Sequence, residues 1–409
     1  MRLNAQNKPQ RFLSPWFYLS LIFFTYVIAG INTYRLQPIL PRLMETLNID
    51  VARAGLLVSS ATFLNIFITL PMGFAVAKIG LRTAGLLCIV LLLAGAGIGS
   101  FFNNYNGIII SQSVSGLGNV LIAVSGPVFI NLLFVKKGFS LAMGIFTSGL
   151  TTAQFITFSL LPRITGVGKI SPAWRLSFGL AIAAFLFWLF FISRSLIVNL
   201  TGGQKASYVI DGEQDKSTGF YIKKVLKNIS TWQLAVGLFF FMLSAIGVLS
   251  YLPSYLVAER GIELGRASLI CSFNAVVGFF CAIFAGFLAE KLKTHKWIYL
   301  MAVVIMAGLR VFQPLVPSGF LLVLITVIQG IPAAGPGMMF SAVTSVISHP
   351  KEKSIGVSIV MTGFLCGTAV SPLLFGLLVR SFGYTTGFFM MIPIAFLGLI
   401  GMFTAKGVK

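Results

Sequence analysis

The sequence predicts an all-α membrane protein with twelve transmembrane helices in two pseudo-symmetric bundles of six. Hydrophobic residues make up 57% of the 409 residues and charged residues only 10%, whereas soluble domains carry about 25% charged residues. The apolar residues also fall in blocks of about 20, which is the length that a ~30 Å bilayer core requires of a spanning helix. The four cysteines lie inside these blocks without metal-ligand spacing, as is typical of reduced residues packed between helices.

The apolar blocks form two groups of six around a polar stretch. No small-residue cleavage site follows the first block, so we interpret Trp16 onward as a retained span. The predicted segments are a cytoplasmic N-terminus at 1–15, a bundle at 16–198, a cytoplasmic linker at 199–230, a bundle at 231–405 and a cytoplasmic C-terminus at 406–409. The end of the linker, 220–227, mixes apolar and basic residues and is either an interfacial amphipathic helix or a simple tether.

Each of the twelve apolar blocks is long enough and apolar enough to cross a bilayer, so each is predicted to be one span. The first bundle is predicted from spans near 16–40, 54–77, 83–102, 107–135, 138–162 and 173–198. The second is predicted from spans near 231–257, 266–289, 297–315, 319–348, 354–379 and 384–405.

The excess of basic residues indicates how the chain is oriented. The sequence has 30 Lys and Arg against 9 Asp and Glu, a formal charge of +21. With both termini in the cytoplasm, about two thirds of the basic residues fall in cytoplasmic segments, as the positive-inside rule requires. We therefore predict a multi-pass protein of the inner (cytoplasmic) membrane and no nucleic-acid partner, because the basic residues sit in short connections between spans.

The two halves of the chain have matching segments. Residues 116–149 can be laid on residues 330–363 without a gap, and Lys137 and Gly149 then meet Lys351 and Gly363. A duplicated six-span unit is a common construction of carriers, with the substrate site between the two units. The alternative is chance similarity between two apolar sequences.

Two short basic motifs stand at corresponding places in the halves. Gly73-Phe-Ala-Val-Ala77-Lys78-Ile79-Gly80-Leu81-Arg82 follows span two, and Gly286-Phe-Leu-Ala-Glu290-Lys291-Leu292-Lys293 follows span eight. They resemble the signature loop of the major facilitator superfamily, Gly-x-x-x-Asp-x-x-Gly-x-Arg. The resemblance implies a twelve-helix carrier whose gating loops use Gly73, Lys78, Gly80, Arg82, Gly286, Glu290 and Lys291. The first copy has Ala77 in place of the acid, and the alternative is that Lys78 and Arg82 only set the topology.

Further segments are similar to this superfamily. Pro172-Ala173-Trp174-Arg175 resembles its Trp-Arg pair at the outer start of span six, and Gly116-Leu117-Gly118 resembles the Gly-rich part of its span four. The Arg often found four residues before that Gly is here Gln112. The Gly-Pro motif of drug/proton antiporters is missing from span five. The stretch 116–149 is most similar to the cyanate/nitroimidazole-type and oxalate–formate-type branches.

Polar residues inside the apolar blocks are the candidate substrate ligands. Thr25, Ile28, Asn32 and Arg35 share one helical stripe, so Asn32 and Arg35 are expected to face a central cavity together. A guanidinium there can bind a carboxylate through two hydrogen bonds. The alternative is that Arg35 reaches to the outer headgroups. Arg310, in span nine, is the weaker candidate because that helix is usually peripheral in the superfamily.

The other candidates are neutral and lie in spans that line the pathway in the superfamily. Each has the alternative role of a hydrogen bond between helices. Pro38 and Pro41 are expected to end span one, and the segment 331–337 is expected to interrupt span ten with a bend that either moves during gating or is static. The neutral candidates are Asn119, Ser125, Thr147, Gln154, Tyr251, Asn274 and Thr362.

Together these features predict a secondary active or facilitative transporter that works by alternating access. No Asp or Glu lies in the middle of a predicted span, which argues against proton symport through a buried acid and favours uniport or exchange of a small organic anion or acid-bearing metabolite. The alternative is efflux of amphipathic, drug-like compounds, for which the 13% aromatic residues are suited but a buried acid is missing.

An enzyme embedded in the membrane is the competing class of protein. It would need clustered ionisable residues at depth, and the predicted spans contain none. We therefore predict no catalytic residues, no metal site and no cofactor. The predicted partners are a small-molecule substrate and the lipid bilayer, with the chain acting as a monomer.

Overall fold

The computed structural model describes residues 14–134, 139–166, 169–192, 223–347 and 350–408, and these residues are almost entirely helical. The predicted N-terminus and most of the predicted linker lie outside the described residues. The helices are α1 (Pro15–Tyr34, continued by a 3-10 turn at Gln37–Ile39 and a helix at Leu40–Leu47), α2 (Val51–Ile79), α3 (Leu81–Phe101), α4 (Tyr105–Leu133), α5 (Phe139–Ile164), α6 (Pro172–Phe191), α7 (Ile229–Ala258), α8 (Leu264–Leu292), α9 (Lys296–Leu315), α10 (Phe320–Ile328, a 3-10 turn at Ile331–Ala333, and Ala334–Val346) and α11 with α12 (within Pro350–Thr404).

Twelve membrane crossings follow from the lengths of these helices. Among the described residues, 11 helical stretches are long and apolar enough to span a membrane. The last is part of a 55-residue helix, which would be ~82 Å long if straight, far more than a ~30 Å bilayer core. Gly383 divides it, with φ at +80° and ψ at 171°, a conformation that glycine adopts without a Cβ penalty. We therefore number α11 as 350–382 and α12 as 384–404. With these two helices the described structure confirms the predicted all-α fold class of twelve spans.

The prediction that Pro38 and Pro41 end the first span is wrong. The helix is interrupted after Tyr34 and resumes at Leu40. Each proline occupies one of the first two positions of a helical segment, where a missing N–H leaves no hydrogen bond unmade, so the chain bends and continues to Leu47. The predicted interruption of α10 is confirmed, with a 3-10 turn at Ile331–Ala333.

Tight glycine contacts repeat in the two halves. A Cβ on Gly116 of α4 would collide with the carbonyl oxygen of Ala61 in α2. A Cβ on Gly330 of α10 would collide with the carbonyl oxygen of Asn274 in α8. These two glycines are the pair that the sequence alignment of the halves superimposes, so the α2–α4 and α8–α10 contacts are built in the same way.

The apolar core is shared at one end of the molecule and divided at the other. We call the end that holds Ser14 and Ala405 the terminal end, and the opposite end the distal end. At the distal end one cluster joins residues of both bundles, among them Leu36 and Leu40 of α1 with Leu252 of α7. Towards the terminal end the buried residues form two clusters, one drawn from residues 18–192 and one from residues 225–408.

Polar contacts also join the bundles at the distal end. The hydroxyl of Tyr251 in α7 donates to the carbonyl of Val51 at the start of α2, 2.6 Å away. Arg380 at the end of α11 pairs with Asp50, Nη1 to Oδ2, at 3.1 Å. Gly55 of α2 leaves room for the Tyr251 hydroxyl and for the backbone of α11. The structure is therefore closed at its distal end.

The first prediction concerns the glycine contact between α2 and α4. Gly116→Ala should lower the free energy of unfolding by about 1–3 kcal/mol, because the added methyl group has no space and the helices must separate. Thermal unfolding of the purified protein in detergent measures this. Gly144→Ala in α5 is the matched control: its Cβ meets nothing within 4 Å, so it should leave the melting temperature unchanged or raise it. Equal melting temperatures for Gly116→Ala and the unmodified protein would contradict the prediction.

The second prediction concerns the distal closure. Tyr251→Phe removes one buried hydrogen bond between the bundles, and such a bond contributes about 0.5–1.5 kcal/mol. The population of molecules open at the distal end should then rise about two- to tenfold. Electron–electron distance measurements between spin labels at positions 53 and 382, in a cysteine-free background, would report this population.

A matched control is available at the same end of the molecule. Arg266 and Glu263 form an exposed pair at 3.9 Å within a single bundle, so Arg266→Ala should leave the distance distribution unchanged. A Tyr251→Phe distribution identical to that of the unmodified protein would show that this bond does not contribute to the closure.

Candidate functional site

Arg35 lies at the break in α1 and is completely buried. It follows directly after the end of the first helical segment, at Tyr34, and its side chain is 0% exposed. The alternative in which the side chain reaches to the headgroups therefore does not describe this structure. The guanidinium instead points into the interior of the first bundle.

Neutral groups from α1, α4 and α6 surround this guanidinium. Nη1 donates to Oδ1 of Asn32 at 3.0 Å, and Nη2 donates to Oε1 of Gln112 at 2.6 Å and to the hydroxyl of Ser111 at 3.4 Å. The ring of Trp174 lies 4.8 Å from Cζ, measured to the ring centroid, which is within the range of a cation–π interaction. Arg35 thus connects three helices of one bundle.

A second layer of hydrogen bonds holds these partners in place. Ser111 accepts a bond from Nε1 of Trp174 at 2.9 Å and donates to the carbonyl of Gly95 at 2.6 Å. Ser115 donates to Oδ1 of Asn32 at 3.4 Å. The site around the guanidinium is therefore positioned by α3 as well as by the three helices that contact it.

Among the residues that the structure describes, no carboxylate pairs with Arg35. The ion pairs among the described residues are Lys224–Glu352, Arg266–Glu263 and Arg380–Asp50. A guanidinium has five N–H donors; three are used by the bonds above, and Nε has no partner. A buried charge balanced only by dipoles is costly, so the site favours the approach of an anion.

Arg310 is a second buried arginine, in the other bundle. Its side chain is 1% exposed, although α9 also has large exposed side chains such as Trp297 and Met301 on its outer face. Nη1 donates to the hydroxyl of Ser244 and Nη2 to the Ser244 carbonyl, both at 2.6 Å. The Ser244 hydroxyl donates in turn to the carbonyl of Met391. Arg310 therefore joins α9, α7 and α12.

Three of the neutral candidates bond between helices. Asn119 donates to the hydroxyl of Thr33 at 3.2 Å, and Asn274 donates to the carbonyl of Thr326 at 3.2 Å. Tyr251 makes the bond between the bundles described above. In this structure these side chains hold helices together.

The remaining neutral candidates have different surroundings. Ser125, Thr147 and Thr362 donate their hydroxyl protons to carbonyls of their own helices, so their oxygen lone pairs remain as acceptors. Gln154 is buried, and its Nε2 has no partner.

The two signature segments are mostly helix. The expected loop from Gly73 belongs to α2 up to Ile79, and the chain turns at Gly80 alone, with φ at +82°. In the second copy α8 continues to Leu292. A Cβ on Gly286 would meet nothing within 4 Å, so this glycine does not allow a close helix approach here. The side chains of Lys78 and Glu290 lie outside the described residues, while Nε of Arg82 is buried without a partner.

A cleft between α5 and α8 was missed by the sequence analysis. Its volume is about 230 Å³, and it lies where the first bundle faces the second. Thr151, Thr152 and Phe155 follow Ser148 by three, four and seven residues, a spacing that places all four on one face of α5. This spacing is the signal in the sequence that could have indicated the cleft. The lining residues are Ser148, Thr151, Thr152, Phe155, Ala275, Val276 and Phe279.

Known proteins share this architecture. Residues 22–318 match the family model of the Major Facilitator Superfamily. A hexuronate transporter of Bacillus subtilis (strain 168) is 21% identical over 387 residues, covering 91% of this chain and 90% of that protein.

Solved structures of a bacterial homologue of the human lysosomal transporter Spinster are also similar. Its inward-facing, unoccupied conformation has a TM-score of 0.79 at 14% identity and covers 96% of both chains. Its inward-facing, occupied conformation has a TM-score of 0.74 at 15% identity and covers 99% of this chain and 98% of that one. Because the family model spans well over half of the sequence, this chain is a multi-pass membrane protein that belongs to the Major Facilitator Superfamily.

Proposed function

We propose that this transporter moves a small organic anion, or a metabolite bearing an acid group, by uniport or exchange. The observation that carries the proposal is the Arg35 guanidinium, which is 0% exposed and has no carboxylate partner among the described residues. An anionic substrate would supply the missing negative charge.

The partners of Arg35 are suited to being replaced by a substrate. Gln112 and Asn32 are neutral acceptors, whereas a carboxylate brings the opposite charge and can accept two parallel bonds from one guanidinium. A carboxylate that reaches Arg35 can therefore displace an amide oxygen, and it can also accept from the donors that are free in this structure. In this structure the two amides accept only two of the five N–H donors of the guanidinium.

The closed distal end supports transport by alternating access. The bundles meet there through Tyr251 and the Asp50–Arg380 pair, while their cores are separate towards the terminal end. The likeness to inward-facing structures and the basic cytoplasmic segments support placing the terminal end, with both chain termini, on the cytoplasmic side of the inner membrane. Rocking of the two bundles, within a monomer, would expose the site to each side in turn.

The similarity to a hexuronate transporter supports the proposal that the substrate bears an acid group. That relative is named for a sugar acid and is 21% identical to this chain. A hexuronate combines one carboxylate with several hydroxyl groups and is therefore a suitable first probe.

The third prediction concerns the charge of Arg35. Arg35→Gln should weaken binding of glucuronate by about 10- to 100-fold, because a hydrogen bond to a charged group contributes about 1.5–3 kcal/mol. Arg35→Lys should retain part of the binding, since it keeps the charge and loses the planar donors. Counterflow of labelled glucuronate in proteoliposomes measures the effect.

The matched control removes the other buried arginine. Arg310→Gln deletes a guanidinium of equal burial whose partner is Ser244, so it should reduce thermal stability and leave glucuronate affinity unchanged. Equal counterflow by Arg35→Gln and the unmodified protein would overturn the role proposed for Arg35.

The fourth prediction concerns the class of substrate. In a thermal-shift panel, a transported acid at about 100 times its Kd should stabilise the protein by about 2.7 kcal/mol. Uncharged and cationic compounds of similar size should stabilise it less. Stabilisation by amphipathic cations alone would favour efflux of drug-like compounds instead.

A further inference from the structure

We infer that the cleft between α5 and α8 is the subsite for the hydroxyl-bearing body of the substrate, which makes the substrate a polyhydroxy acid of sugar size. The inference deepens the proposed function and rests on it for the acid group. It is carried by the lining, the size and the position of the cleft.

The wall formed by α5 presents hydrogen-bond acceptors. Ser148 donates its hydroxyl proton to the carbonyl of Ile145 at 2.7 Å. Thr151 and Thr152 donate theirs to the carbonyl of Ser148 at 2.8 and 2.9 Å. Each hydroxyl has thereby used its donor and keeps lone pairs as acceptors. This wall is complementary to a ligand that offers several hydroxyl donors.

The opposite wall and one end of the cleft are apolar. Ala275, Val276 and Phe279 of α8 face the three hydroxyls. Phe155 lines the cleft from α5 and packs edge-to-face on Phe273 of α8, with ring centroids 6.0 Å apart. A pyranose ring has hydroxyls at its rim and C–H groups on its faces, so it matches a cleft with one polar and one apolar wall.

The cleft is too small for a large ligand and has no charged residue to bind an acid group. Its volume of about 230 Å³ is below the roughly 300–1,000 Å³ of pockets for drug-sized ligands, which favours a single small ring. No lining residue is ionisable, so the cleft itself offers nothing to a carboxylate. The acid group of the ligand must therefore be bound elsewhere.

The helix that carries Arg35 packs against the same part of α5. Gly30 of α1 packs directly on Ala153, which follows Thr152 in the wall of the cleft. Arg35 is five residues further along α1, which is about 7.5 Å of helix axis. A six-carbon sugar acid that occupies the cleft can extend its carboxylate in that direction.

The cleft also lies between the two bundles. A ligand in it contacts α5 of one bundle and α8 of the other at the same time. When the bundles rock, these contacts change together, and a ligand can shift a conformational equilibrium only through such differential contacts. The subsite would thus couple recognition of the sugar body to the transport movement.

The fifth prediction tests the subsite by removing its acceptors. Thr151→Val and Thr152→Val should each weaken glucuronate binding about three- to tenfold, the range expected for one hydrogen bond. Binding of cyclohexanecarboxylate, an acid with a ring of similar size and no hydroxyls, should be unchanged. Thr157→Val is the matched control, because Thr157 is on the same helix, bonds its own backbone and does not line the cleft. Calorimetric titration of the purified variants gives the affinities.

The outcomes separate the subsite from the acid site. Glucuronate binding that depends on Arg35 but not on Thr151 or Thr152 would overturn the subsite and leave the proposed function standing. Weak binding of glucose that is lost in Thr151→Val, without any binding of acids, would support the subsite and overturn the proposed function. Equal loss of both acids in the valine variants, or no binding of any of these probes, would overturn the subsite.

Discussion

The first bundle depends on the burial of one guanidinium that has no carboxylate partner in the described part of the chain. Arg35 is held by Asn32, Ser111 and Gln112, with Trp174 against its face. Because removing a charge from water costs several kcal/mol, these partners must stay in place while the site is empty, and the break in α1 aims the side chain at them. The same lack of a negative partner makes the site receptive to an anionic substrate.

Glycines at the helix contacts have no side chain, so they let the helices of each bundle approach closely. Gly116 and Gly330 bring α4 onto α2 and α10 onto α8 at equivalent places, which is the close approach that membrane helices use in place of a hydrophobic driving force. The two bundles differ in the contacts of their buried arginines. Arg35 bridges α1 to α4, whereas Arg310 bridges α9 to α7 and α12. Two similar scaffolds therefore hold different polar interiors.

The proposed binding mode divides a substrate between two environments. A charged group would be recognised by Arg35, and a hydroxyl-bearing body would lie against Thr151 and Thr152 in the cleft between the bundles. Charge recognition draws on the desolvated guanidinium, while selection among acids of equal charge draws on neutral acceptors. A site of this kind discriminates a sugar acid from a plain carboxylate through hydroxyl oxygens whose lone pairs are still free to accept a hydrogen bond.

The sequence by itself determined the number of spans, the repeat of the halves, the scarcity of acids inside the membrane and the shared stripe of Asn32 and Arg35. These features follow from composition and from the 3.6-residue period, which act over short stretches of chain. Only the tertiary structure decided that Arg35 meets Gln112, 77 residues away, that Arg310 is buried, that α1 continues past its prolines and that α5 and α8 line a common cleft. Which helix faces which depends on long-range packing, and in an apolar sequence almost every helix face is apolar enough to pack.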